Sequence, residues 1–132
     1  MISSDLSEML LSYVLVDQYS PFIDTGFEVS LHHGGTSAGL TGELTDPSYQ
    51  RGFIGCGPGF WTVGSRSAVN LVDVYFPMTA ADEMWRSVRM AGVWSVGSRK
   101  FLFGLQFDES GLNVGLGDRL YIPEGGLVFG FV

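Results

Sequence analysis

A single cysteine, Cys56, stands in this chain of 132 residues. It excludes an intrachain disulfide and any zinc site built from several thiolates, so stability has to rest on burial or on assembly. Charge is also scarce, at 16% of residues against 45% hydrophobic. Such a chain has less polar surface than a freely soluble monomer usually carries, and burial against partners relieves the shortfall. Basic side chains are the rarer sign, 7 Lys and Arg against 14 Asp and Glu, giving a formal charge of -7. A phosphate backbone is repelled by that balance unless the arginines cluster, so no nucleic acid is expected as a partner. No apolar run approaches the ~18 residues of a membrane span. Met1-Ile2-Ser3-Ser4-Asp5 also lacks the basic lead and apolar core of a secretory signal. The expectation is a cytosolically made, soluble chain with no membrane partner, and its length fits one domain.

What is present is β patterning punctuated by glycine. Before it, Asp5-Leu6-Ser7-Glu8 pairs an N-cap acid with a Glu three residues later, and Leu6, Met9, Leu10, Tyr13 and Val14 follow helical spacing. This predicts a short amphipathic helix over residues 5 to 16, closed before Pro21. Its apolar face suits either a docking arm on another protein or a cap on its own domain. Phe27-Glu28-Val29-Ser30-Leu31-His32 alternates and predicts a strand with Phe27, Val29 and Leu31 facing the core. From His33 to Ser67 the chain is rich in Gly, Ser, Thr and Pro, which predicts a long loop with one short strand near Arg51 to Ile54.

Val69 to Phe76 is β-branched and aromatic, with Val72, Val74 and Phe76 on one face and Asp73 and Tyr75 on the other. Thr79 and Asp82 suggest one helical turn over Ala80 to Trp85. Ser87 to Val96, Phe101 to Phe107, Arg119 to Ile122 and Leu127 to Val132 supply four more strands. The predicted organisation is an N-terminal helix and arm over 1–26, followed by a mainly β domain over 27–132. An antiparallel β-sandwich or jelly-roll-like architecture fits the strand spacing.

Few residues suggest chemistry. His32 and His33 are adjacent, so on a strand they point to opposite faces and do not chelate one metal together. Cys56 would need an imidazole and an orienting acid such as Asp46 to act as a nucleophile, and no motif surrounds it. Gly55-Cys56-Gly57-Pro58-Gly59 lacks the Lys and Ser/Thr of a phosphate loop. Asp108-Glu109-Ser110-Gly111-Leu112-Asn113 lacks the ligand spacing of a calcium loop. No catalytic residue, metal site or cofactor is expected. Phe60, Trp61, Trp85 and Trp94 remain. Trp94 reads as strand core and Phe60-Trp61 as a loop anchor on a neighbouring subunit, with a stacking platform for a host glycan as the alternative.

The order of certain fragments resembles a family of small bacteriophage virion proteins, those known as tail fibre or minor tail proteins. The fragments are Leu31-His32, Gly42-Glu43, Tyr49-Gln50-Arg51, Val72 to Pro77, Trp85, Val88 to Trp94, Phe101-Leu102-Phe103-Gly104 and Gly117-Asp118-Arg119-Leu120-Tyr121-Ile122-Pro123-Glu124-Gly125. The resemblance covers roughly residues 27 to 132, most of the chain. The resemblance implies a non-enzymatic structural protein of the virion. Small size, the lack of a fibrous repeat and low charge point to an outer accessory protein that decorates and cements the capsid through oligomeric contacts. A tail fibre or tail-tip component, which the family label favours, is the alternative, and a host-glycan-binding module the second. Implied partners are identical subunits, as a trimer by analogy with phage assemblies, and the major capsid or tail proteins. The expected interface comprises Leu6, Met9, Leu10, Tyr13, Val14, Phe60 and Trp61.

Overall fold

The computed structural model describes residues 11–12, 15–16, 26–36, 39–64, 67–96, 99–107 and 111–130. Among these the protein is mainly β, with every strand pairing antiparallel. The strands are β1 (Gly26–Thr36), β2 (Gly39–Glu43), β3 (Gly52–Gly55), β4 (Trp61–Val63), β5 (Ser67–Asn70) and β6 (Val74–Tyr75). They continue with β7 (Trp85–Val88), β8 (Met90–Ser95), β9 (Phe101–Gln106), β10 (Leu112–Val114), β11 (Tyr121–Ile122) and β12 (Val128–Gly130). The largest sheet runs β2-β1-β8-β9, and β3 also pairs with β1. Three smaller sheets are β12-β5-β4, β11-β6 and β10-β7.

β1 organises the molecule because its alternation is real. Phe27, Val29 and Leu31 are fully buried and meet Ala91 and Val93 of β8 in the core, where Val29 opposes Val93 and Leu31 opposes Ala91. Trp61 closes one side of this core. Its ring meets Phe27 edge-on at 5.7 Å, and its Nε1 donates to the Gly55 carbonyl at 3.0 Å. Trp85 closes the other side, edge-on to Tyr49 at 5.7 Å, with Nε1 donating to Ser48 Oγ at 3.0 Å. Each indole thus buries its apolar body while its one polar atom keeps a partner. Asn70 ties the smaller sheets together. Its amide donates to the carbonyls of Val72 and Pro123, and its Oδ1 accepts from the Leu127 N–H at 2.8 Å.

Several expectations are corrected. The segment from His33 to Ser67, read as a loop with one short strand, holds the end of β1, all of β2 and β3, and β4. The β1–β2 ladder pairs Gly34 with Thr41 and Gly35 with Leu40, so hairpin hydrogen bonds hold extended structure where side-chain propensity is weak. The expected strand over residues 69–76 breaks at Leu71 into β5 and β6, although Val74 and Phe76 are buried and Tyr75 exposed as the pattern required. Arg89 separates β7 from β8 after Ser87, which takes a left-handed φ of 53°. In place of the helical turn expected over residues 80–85, a single turn closes at 80–83, with the Glu83 N–H on the Ala80 carbonyl, and Trp85 already begins β7. The Thr79 hydroxyl bonds Gly115 and Asp118 instead of capping a helix. β10 lies in a stretch read as a separator. Most of the expected N-terminal helix lies outside the described residues. Leu11 and Leu15 are buried, and the Val16 N–H donates to the Ser12 carbonyl at 3.0 Å.

Trp61→Ala should cost about 3–5 kcal/mol, the usual penalty for emptying a buried aromatic site. Phe60→Ala, beside it in sequence but 39% exposed, should cost less than half as much. Urea titration of both variants measures this, and similar midpoints for the two would show that Trp61 is not part of the core.

Candidate functional site

Two surfaces combine residues that packing alone does not require. The first is a ribbon formed by residues 74–79 against 115–122. Val74 pairs with Ile122 and Tyr75 with Tyr121. Backbone hydrogen bonds continue from Phe76 to Leu120 at 3.1 Å and from Thr79 to Asp118 at 2.8 Å. The Thr79 hydroxyl donates to the Gly115 carbonyl at 2.7 Å and locks the far end. The inward side chains Val74, Phe76 and Ile122 are core, so alternation turns Tyr75 and Tyr121 out, 53% and 49% exposed. Met78 and Leu116, outside the paired strands, are 59% and 56% exposed. The two tyrosine rings stack with centroids 5.5 Å apart, and the Arg119 guanidinium sits over Tyr75 at 5.6 Å. Phe53 on β3 is exposed on a neighbouring strand.

The second surface is the outer face of the largest sheet, where Arg51 is the hub. Its Nε and Nη2 bond the two Glu43 oxygens at 2.9 and 2.7 Å, and its Nη1 reaches Glu28 at 3.2 Å. The guanidinium also lies 4.5 Å over the Trp94 ring. The Tyr49 hydroxyl donates to Glu43 at 2.7 Å and accepts the Leu31 N–H at 3.0 Å. Beneath this cluster the Trp94 Nε1 donates to Ser30 Oγ at 2.7 Å, and Ser30 Oγ lies 2.7 Å from His32 Nε2. Beside it is a cleft of about 360 Å3 lined by Glu28, Arg51, Trp94, Ser95, Val96 and Arg99.

The electrostatics follow from this packing. Burial raises the Glu43 carboxyl, but the hydrogen bonds from Arg51 and Tyr49 and the Arg51 charge outweigh it, leaving Glu43 below its ordinary value. Burial lowers His32, and the Glu43 charge only partly offsets it. Among the described residues His32 Nδ1 is buried with no hydrogen-bond partner of good geometry. Tyr49 is raised, chiefly by burial, and Tyr75 by its hydrogen bond to Asp73.

The sequence-predicted residues distribute unevenly over these surfaces. Leu6, Met9, Leu10, Tyr13 and Val14 lie outside the described residues. Phe60 is exposed and covers Gly55, where a Cβ would meet its ring at 2.6 Å. Trp61, expected beside it at an interface, is 1% exposed and is a core residue. Trp94, expected in the core, is half-buried under Arg51 on the outer face. His32 and His33 do diverge, His32 to Ser30 and His33 to the Ser87 carbonyl at 3.1 Å. The Cys56 thiol points to the Leu15 carbonyl at 3.1 Å. In the glycine-rich segment around it, the Gly57, Phe60 and Trp61 N–H groups already bond protein carbonyls. Among the described residues no three His, Cys, Asp or Glu side chains gather as a metal site. Sequence reading missed the ribbon and Arg51. The exposed Tyr75 and Tyr121 were legible as outward strand positions, but their pairing was not.

Compared with known proteins, the chain matches no family model and no curated protein sequence.

Stability should fall in acid in two stages. His32 lies below its ordinary 6.5 in the folded chain, so the unfolded chain takes up its proton first and the fold loses stability as pH drops through 6.5. Glu43 lies below its ordinary 4.5, so its contribution is present above that value and is lost as pH falls beneath it. His32→Gln should flatten the dependence between pH 6.5 and 4.5 while leaving the lower limb. Chemical denaturation across pH tests this, and an unchanged slope in that window would rule His32 out.

Proposed function

We propose that this chain is a non-enzymatic structural protein of a bacteriophage particle, an outer accessory protein that decorates and cements the capsid. The observation that carries the proposal is the ribbon, which holds Tyr75, Met78, Leu116 and Tyr121 to solvent on a hydrogen-bonded frame. Exposed apolar and aromatic side chains on a rigid support, with an arginine over one ring, are the composition of an interface core. The low charge content of the whole chain favours the same reading. Four half-exposed side chains provide only part of the ~800 Å2 per partner that a stable pairwise interface uses. Retention on a particle then rests on many copies in a symmetric array, including contacts between identical subunits, expected as a trimer.

The finer architecture belongs to this proposal. The largest sheet and the smaller sheets would form the layers of a sandwich, and the segment before residue 16 would act as an arm or cap. A tail fibre or tail-tip role is the alternative location, favoured by the sequence resemblance. Copy number separates the two.

Quantitative mass spectrometry of purified virions should find the chain in hundreds of copies per particle. A few to tens of copies would place it in the tail, and absence from virions would remove the structural role altogether. Tyr75→Ser combined with Tyr121→Ser alters only exposed side chains, so thermal stability should shift by less than about 1 kcal/mol while incorporation into particles drops at least tenfold.

A further inference from the structure

The cleft on the outer sheet face is built differently from the ribbon, and from its lining we infer that it binds a small hydroxylated carboxylate about the size of one acidic sugar ring. Its volume of about 360 Å3 falls at the lower end of small-molecule sites, roughly 300–1,000 Å3. One pyranose with a carboxylate fits that space, whereas a dinucleotide or a long oligosaccharide does not.

The charges of the lining are unequally engaged. Arg51 is taken up by two bonds to Glu43 and one to Glu28. Arg99, also in the lining, makes no ion pair among the described residues. It is therefore the cation left to receive an incoming carboxylate, by the charge-assisted and often bidentate geometry that guanidinium favours. Glu28 bonds Arg51 through Oε2, and its side chain remains 44% exposed. Its other oxygen accepts from ligand hydroxyls, which a carboxylate cannot do for a second anion. A polyanion is also repelled by the net charge of -7 on the chain. One carboxylate on a hydroxylated body satisfies both groups.

Trp94 and Val96 supply the apolar wall. The Trp94 indole is held by the Arg51 guanidinium at 4.5 Å, by Ser30 at 2.7 Å and by the Phe101 ring at 5.2 Å. A wall fixed before the ligand arrives loses little entropy on binding, and C–H groups of a sugar ring pack against it. Arg99 itself has φ of 56°, in the left-handed region where glycine is the unstrained choice. Non-glycine residues held there are enriched at ligand sites.

That strain gives the experiment a variant that tests binding without harming the fold. Glucuronate and N-acetylneuraminate, titrated by calorimetry and by ligand-observed NMR, should bind the intact chain with Kd near 1 mM, on the order of a single-ring ligand. Neutral glucose should bind at least tenfold more weakly. Arg99→Gly removes the cation and relieves the left-handed backbone, so the unfolding midpoint should hold or rise while affinity for both acids falls at least tenfold. An oligosaccharide ending in glucuronate that binds as well as the free acid identifies a glycan terminus as the source, and its exclusion identifies a free acid. The inference is overturned if neither acid binds at about 10 mM, if glucose matches them, or if Arg99→Gly binds as tightly as the unaltered chain.

Discussion

Burial of β1 on both faces constrains much of what surrounds it. On the inner side Phe27, Val29 and Leu31 remove apolar surface from water, the ordinary source of stability for a sheet. On the outer side Ser30 and His32 are also buried, and a polar group sealed without a partner costs about 1–3 kcal/mol. The chain meets that cost in part: Trp94 from β8 donates to Ser30, whose Oγ lies 2.7 Å from His32 Nε2, while His32 Nδ1 has no partner of good geometry among the described residues. Around this pair Tyr49 from the loop after β2 takes the Leu31 N–H, and Arg51 beside β3 gathers Glu28 and Glu43. Glu28, Arg51 and Trp94 meet on the outer face. The same convergence places Arg51, Trp94 and Glu28 along one wall of a cleft.

Glycines make this covering possible. Gly92 of β8 and Gly104 of β9 are register partners, and a Cβ on either would lie 2.5 or 2.9 Å from the Leu40 side chain. The absence of both lets Leu40, from the β1–β2 hairpin, lie flat across two strands above Ser30. A Cβ at Gly92 would also fall 2.8 Å from Ser30 Oγ. Overpacking of this kind typically costs about 1–3 kcal/mol. Glycine in a strand therefore marks close approach here, and the dispersed glycines of the sequence are in these two cases packing residues rather than turn residues.

Much of the fold was legible because alternation is a local signal. Phe27 to His32 and Val74 to Phe76 could be assigned as strands from their alternation and Phe101 to Gln106 from its apolar and aromatic run, and the inner face of β1 followed directly. β2 was not legible, since Gly39-Leu40-Thr41-Gly42-Glu43 owes its extended form to hydrogen bonds with β1 and not to β-branched or aromatic residues. The roles of Trp61 and Trp94 were inverted for a related reason. Position along the chain put Trp61 in a loop and Trp94 in a strand, but burial depends on which face the sheet presents. Trp94 opposes Glu28 on the outer face, and Trp61 turns its ring onto Phe27. The ribbon was half legible: Tyr75 and Tyr121 each read as outward, yet residues 46 apart in sequence reveal their stacking only when β6 and β11 are paired.

The two surfaces draw on separate residues, and this bears on how they would act together. The ribbon is held by backbone pairing between residues 74–79 and 115–122, with Thr79 locking its end. The cleft is held by side chains of β1, β8, the residue before β3 and the turn before β9. No side chain serves both. On the two proposals, apolar burial on the ribbon would consume none of the polar groups lining the cleft, and a ligand at Arg99 would leave the hydrogen bonds that frame Tyr75 and Tyr121 in place. A chain fixed in an array by its ribbon would keep each cleft's side chains available, and repetition of a weak site would raise the avidity of the array for a multivalent acidic ligand without strengthening any single contact.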